Sequence, residues 1–155
     1  MKLAYISGKY SDPRGPAFVD LNIRQAAEIA MQLWSLGIAV ICPHTNTAHF
    51  DGAADYEGFI EGDLVMVDRC DLMVMVPNWK TSKGAKIERQ RAINRITPVF
   101  EWPEECCRII RHCWPYGMPA KYVELSKNLL PEDLHERIRE GYCWPPDPSA
   151  GRVQQ

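Results

Sequence analysis

Two carboxylates in this chain sit where apolar side chains would be expected, and their placement points to chemistry. Glu88 follows the stretch Ser82-Lys83-Gly84-Ala85-Lys86-Ile87 and shares helical spacing with Ala85 and Ala92, apart from the charged face carrying Lys86 and Arg89. Asp63 interrupts a second apolar stripe, marked by Phe59, Ile60, Leu64 and Val67. Two inward carboxyl groups over one sheet edge suit cleavage of a glycosidic bond. One attacks the anomeric carbon and the other handles a proton, as in retaining glycosidases, whose carboxyl groups lie about 5 Å apart. The competing reading for either residue is structural: a buried ion pair with a nearby arginine for Glu88, and a salt bridge or cap for Asp63.

The surrounding pattern supplies elements to hold these groups. Leu3 to Ser7 reads as a first strand ended by Gly8. A helix is expected from about Phe18 to Leu36, stopped by Gly37, and then a strand from Ile38 to Cys42. A polar loop runs from His44 to Ala54. It is followed by a helix from about Tyr56 to Arg69, a strand from Asp71 to Val76, a helix from about Gly84 to Arg95 and a strand from Pro98 to Phe100. Alternating strands and helices predict an α/β fold, a doubly wound Rossmann-like (flavodoxin-like) parallel sheet flanked by helices. Ligands of such sheets gather at the carboxyl ends of the strands. There the first turn of the next helix offers unpaired N–H groups to an anion, which puts Glu88 beside an anion site.

Beyond Trp102, prolines at 103, 115, 119 and 131 break the pattern into short pieces, the clearest being a helix from Glu132 to Glu140. We read residues 1–144 as a single domain, with a motif-bearing core at 3–101. The Pro-rich segment 145–155 reads as a mobile or partner-packed tail.

Composition narrows the function classes. At 155 residues and 46% hydrophobic, the chain can bury about 70% of its unfolded surface without a disulfide or metal staple. A net charge of -2 argues against binding a nucleic-acid polymer, and no apolar run is long enough to span a membrane. Met1-Lys2-Leu3 enters a strand directly and does not open a signal peptide, so a cytoplasmic protein is expected. The six cysteines form no C-x-x-C pair. Cys106, Cys107, His112 and Cys113 crowd together without the spacing of a zinc site, so no metal is expected and the thiols are read as reduced. The loop sequence His44-x-x-x-x-His49-x-Asp51 likewise fits no common metal site.

Other residues could serve a ligand. Tyr5, central in the first strand, could orient Glu88, although strand tyrosines most often simply pack. Ser7, Gly8 and Lys9 end that strand, and Arg14 lies in the loop after it. His44 and Asn46 begin the loop after the second strand, where a polar ligand edge could be read. Ser82 and Gly84 could hold an anion through a hydroxyl and backbone N–H groups, or Ser82 could be only a helix cap.

Four motifs in order, Tyr5-Ile6-Ser7-Gly8-x-Tyr10, Phe59-Ile60-x-x-Asp63-Leu64, Asp71-Leu72-Met73-Val74-Met75-Val76 and Ser82-x-Gly84-x-x-x-Glu88, resemble the nucleoside 2-deoxyribosyltransferase superfamily. The resemblance is closest to its nucleoside 5′-monophosphate N-glycosidase branch and to related phage and bacterial domains. It implies Glu88 as nucleophile, Asp63 as the acid that assists the leaving base, Tyr5 as the residue orienting the nucleophile, and Ser82 and Gly84 as holders of a 5′-phosphate. It also implies a homodimer or higher homo-oligomer, a nucleotide or nucleoside as small-molecule partner, and no cofactor.

Departures exist. Transferases of the superfamily place a carboxyl-terminal residue in a neighbour's site, whereas this chain ends in a Pro-rich segment, and Arg14 lies in a loop unlike the hydrolases' phosphate loop. The turn Ser82-Lys83-Gly84, suited to an anion, favours a phosphorylated substrate, and the expected activity is hydrolysis of a (2′-deoxy)nucleoside 5′-monophosphate. The alternatives are base exchange by a nucleoside 2-deoxyribosyltransferase and a non-catalytic nucleotide-binding or sensor domain. A dinucleotide oxidoreductase fits less well, because Gly8-Lys9-Tyr10-Ser11 is not G-x-G-x-x-G.

Overall fold

The run Leu72-Met73-Val74-Met75 is apolar at every position, as expected of a strand covered on both faces, and it is buried throughout. It lies inside a four-stranded, all-parallel sheet. The computed structural model describes residues 1–141 and 143 and orders the strands β2-β1-β3-β4. They are β1 (Leu3–Ser7), β2 (Ala39–Ile41), β3 (Leu72–Met75) and β4 (Val99–Glu101). Tyr5 sits at the centre, in register with Ile41 on one side and Met73 on the other. The expected α/β Rossmann-like sheet is therefore the observed one.

Helices α1 (Pro16–Ser35), α2 (Pro43–Asn46), α3 (Tyr56–Val67), α4 (Lys83–Asn94), α5 (Cys106–Cys113), α6 (Ala120–Ser126) and α7 (Glu132–Arg139) flank it, with a 3₁₀ turn at Trp79–Thr81. The boundaries read from the sequence hold to within about two residues. The short α2 is an exception, because it forms inside a stretch read as loop. Pro43 at its start fixes φ for a first helical turn, and the backbone N–H of Asn46 bonds back to Cys42.

Strand alternation divides the core unequally. Ala4, Ile6, Leu72, Val74 and Phe100 point to one face, where they join Ala26, Ile29 and Leu33 of α1 in a large cluster. That cluster continues into Ile109, Ile110, Leu134 and Ile138, so the segment after Trp102 completes the apolar cover of this face. Two side-chain bonds tie that segment to α1 and its end: Trp114 Nε1 donates to the Leu36 carbonyl at 3.0 Å, and Gln32 Nε2 to Leu129 at 2.9 Å. On the other face Tyr5, Met73 and Met75 form a smaller buried cluster with Val67, Ala85 and Ala92, edged by the partly buried Ile41, Met66, Cys70, Trp79 and Val99, under α3 and α4.

One expectation is corrected. Cys107 and Cys143 form a disulfide, with Cα atoms 4.6 Å apart, whereas all six thiols were read as reduced. A separation of 36 residues conceals the pair in the sequence; only the return of the chain after α7 onto the start of α5 brings it together. Cys42, Cys70, Cys106 and Cys113 are free. No described helix is long and apolar enough to cross a membrane. The tail assigned to 145–155 lies outside the described residues.

Gly37 ends α1 with φ of 73°, and a Cβ there would lie 2.5 Å from the Tyr122 ring. Gly37→Ala therefore combines backbone strain with overpacking and should cost about 2–4 kcal/mol in denaturant unfolding. A loss below about 0.5 kcal/mol would show that α6 yields freely at this contact.

Candidate active site

In the order β2-β1-β3-β4, the chain leaves β1 for α1 on one face and leaves β3 for α4 on the other. Connections that diverge in this way open a crevice at the carboxyl ends of the two strands. A cleft of about 500 Å³ lies there, on the thinner α3 and α4 face. The end of β1, the start of α2, α3 and the first turns of α4 form its walls.

Glu88 forms part of the wall. It is 6% exposed, on the inward stripe of α4 with Ala85 and Ala92. Both of its oxygens are engaged from β1: Tyr5 Oη donates to Oε1 at 3.0 Å, and Ser7 Oγ donates to Oε2 at 2.5 Å. Tyr5 and Ser7 are two residues apart, so they face the same side of the sheet. The strand thus presents two hydroxyls at one level of the helix, and the carboxylate is fixed in orientation.

Asp63, half-buried on α3, also lines the cleft, and its titration is linked to that of Glu88. Burial pushes Glu88 up to about 7. The Ser7 hydrogen bond opposes the rise and the charge of Asp63 adds to it. Burial likewise raises Asp63 to about 6, with its interaction with Glu88 acting in the other direction. Tyr5 is raised well above the usual phenol value, first by burial and then by the charge of Glu88, so it stays a hydrogen-bond donor. Burial thus favours the protonated form of both carboxyl groups.

The remaining sequence candidates divide into those at the cleft and those away from it. Ser82 caps α4 by accepting from the Ala85 N–H at 3.2 Å, and it also lines the cleft. Gly84 lines it too. A Cβ there would come within 3.1 Å of Ile60 Cδ1 and 3.5 Å of Tyr56 Oη, so the glycine permits close approach of α3. Gly8 permits a similar approach between strand ends, since a Cβ would lie 2.7 Å from that of Val76.

His44 is buried at the cleft, with Nε2 3.1 Å from the Lys9 carbonyl. A carbonyl only accepts, so Nε2 carries the proton and Nδ1 is left as a buried acceptor without a partner among the described residues. Burial lowers the pKa of His44 and keeps the ring neutral.

Ser7 is fully buried behind Glu88. Asn46 is not among the cleft residues, and its amide lies 3.8 Å from Met66 Sδ. Lys9 lines the cleft, but its ammonium is bound to Asp12 at 2.7 Å. Arg14 lies away from the cleft, held by the same Asp12 at 2.8 Å and stacked over Phe18 at 3.8 Å. Tyr10, Phe50, Tyr56 and Lys83 also line the cleft. Lys83, next to Ser82, is a possible phosphate partner from the sequence, whereas Tyr10, Phe50 and Tyr56 were not expected as site residues. Tyr10 closes the first of the four motifs, but Phe50 and Tyr56 carry no sequence signal, because exposed loop and helix-start aromatics follow no period. Among the described residues, no three His, Cys, Asp or Glu side chains converge to hold a metal ion.

No curated protein matches the chain. A solved structure, described as the crystal structure of a conserved protein from Enterococcus faecalis V583, is similar at 21% identity and a TM-score of 0.53. The match covers 91% of this chain and 99% of that one, and at this identity it shows the fold alone. Residues 2–100, which contain both carboxylates, the hydroxyls of β1 and the whole sheet up to Phe100, match the family described as Domain of unknown function (DUF4406), and the chain belongs to that family.

Proposed function

We propose that the cleft hydrolyses the N-glycosidic bond of a (2′-deoxy)nucleoside 5′-monophosphate and releases the free base. The observation that carries this reading is a buried carboxylate with both oxygens fixed by hydroxyls, beside a second, protonatable carboxyl that interacts with it and lines the same cleft. The four ordered motifs shared with the nucleoside 2-deoxyribosyltransferase superfamily support it.

Glu88 attacks C1′ as the C1′–N bond breaks, through an oxocarbenium-like transition state. The bonding pair leaves with the base, which takes its proton from Asp63. Water, deprotonated by Asp63, then opens the glycosyl ester at C1′ and frees Glu88. The working form carries a proton on Asp63 and the charge on Glu88; the hydroxyls of Tyr5 and Ser7 favour that charge and oppose the burial that raises the Glu88 pKa. The N-terminal turn of α4 with Lys83 suits the phosphate. The reading needs no cofactor. It places the protein in the cytoplasm as a homodimer or higher homo-oligomer that acts on small molecules and not on nucleic-acid polymers.

A panel of ribo- and deoxyribonucleosides and their 5′-monophosphates, with base release followed by chromatography, tests the activity. Release from a monophosphate should vanish in Glu88→Gln and fall about 10²–10⁴-fold in Asp63→Asn with folding retained. Unchanged turnover in Glu88→Gln would overturn the mechanism. A new nucleoside on addition of a second base would instead mark a transferase, and tight binding with no release a sensor.

The raised carboxyl also sets a dependence of stability on pH. Its favourable contribution is fully present below the ordinary value near 4.5 and is lost as pH rises through about 7. Glu88→Gln removes this loss. The variant should be more stable than the parent at pH 8 by about 2–3 kcal/mol and show no such gain at pH 4, as read from thermal unfolding. An equal difference at both pH values would mean that Glu88 does not bear the strained charge.

A further inference from the structure

α1 buries Ala26, Ile29 and Leu33 against the sheet, and its opposite face is unusual for a solvated helix. Leu21 is 55% exposed, and Met31 and Trp34 are each 52% exposed. Between them on the same stripe lie exposed Arg24 and Glu28. At about 100° per residue, Leu21, Arg24, Glu28 and Met31 fall within one narrow sector of the helix surface.

Arg24 and Glu28 are one turn apart, in the order less favourable for an intrahelical pair. Neither makes an ion pair or hydrogen bond with any described residue. The stripe is symmetric about the level of Ala26: Arg24 and Glu28 are equidistant from it along the chain, and so are Leu21 and Met31. An antiparallel copy of the same helix would then set Arg24 against Glu28 twice, and Leu21 against Met31 twice. Such reciprocity is what a closed two-fold interface requires, each residue meeting a different residue whose own partner is the first.

We infer that the outer face of α1 is a self-docking surface, taking a second copy of this chain with the two α1 helices antiparallel and the Arg24–Glu28 pair made twice across a two-fold axis. The apolar ends supply the area to be removed from water, and the central charges set direction and register. A parallel arrangement brings like charges together and is disfavoured. This assignment does not depend on the chemistry of the cleft, which opens on the other face of the sheet.

The test is the mass of the full-length protein across a concentration series by sedimentation equilibrium, with circular dichroism to confirm that each variant is folded. The parent should be a dimer. Arg24→Glu alone and Glu28→Arg alone should each raise the dissociation constant at least about tenfold, and the two together should restore it, because the exchange rebuilds the same pair in reverse. Leu21→Lys should also weaken the dimer. A monomeric parent at all concentrations, an oligomer indifferent to Arg24→Glu and Leu21→Lys, or single variants not rescued by the double exchange would each overturn the proposal. So would a monomeric parent that dimerises once residues 144–155 are removed, since the tail would then be the occupant of this face.

Discussion

The two hydrogen bonds that β1 extends to Glu88 are the constraint around which the candidate site is organised. A carboxylate on the inward stripe of a helix is costly unless its oxygens find donors, and here one strand provides both. To meet them, α4 must lie across the end of β1 at one rotation and height, even though β3 separates the two elements in the chain. The pairing of β1 with β3 in register from Ala4 with Leu72 to Ser7 with Met75 sets the distance over which this occurs. The central strand therefore serves both as the structural axis of the sheet and as the positioning device for the Glu88 carboxylate.

The unequal faces of the sheet explain why the cleft lies where it does. On the α1 face, the helices after β4 add Ile109, Ile110, Leu134 and Ile138, and the apolar surface is filled. On the other face, small residues of α4 and Val67 of α3 give a shallow layer. Gly84 lets Tyr56 and Ile60 come close over the first turn of α4, so α3 forms a wall of the cleft without covering it. The better-filled face supplies most of the apolar burial, which leaves the thinner face free to hold ionisable groups that weaken the fold at neutral pH.

The charges around the cleft are arranged with comparable economy. Asp12 takes the side chains of both Lys9 and Arg14, fixing the loop after β1 and holding two cations that lie near it in sequence. Lys83, which makes no ion pair among the described residues, is the cation left at the cleft, with its ammonium 5.6 Å from the centre of the Tyr56 ring. The cleft thus holds the two acids together with a cation that makes no ion pair among the described residues.

The amino-acid sequence by itself determined the alternation of strands and helices, and with it the parallel sheet, because periodicity and the Gly and Pro punctuation are local properties. It also exposed Glu88 and Asp63, since a carboxylate within an apolar stripe is visible from spacing alone. Tertiary structure decided what spacing cannot carry. Ser7 lies behind Glu88 because strand pleat and helix position together choose its direction. Arg14 turns to Asp12 because a loop cation takes the nearest buried anion, and Cys143 reaches Cys107 only through the return of the chain after α7. Those outcomes depend on contacts between residues distant in sequence, formed only once the sheet has set the positions of its loops and helices.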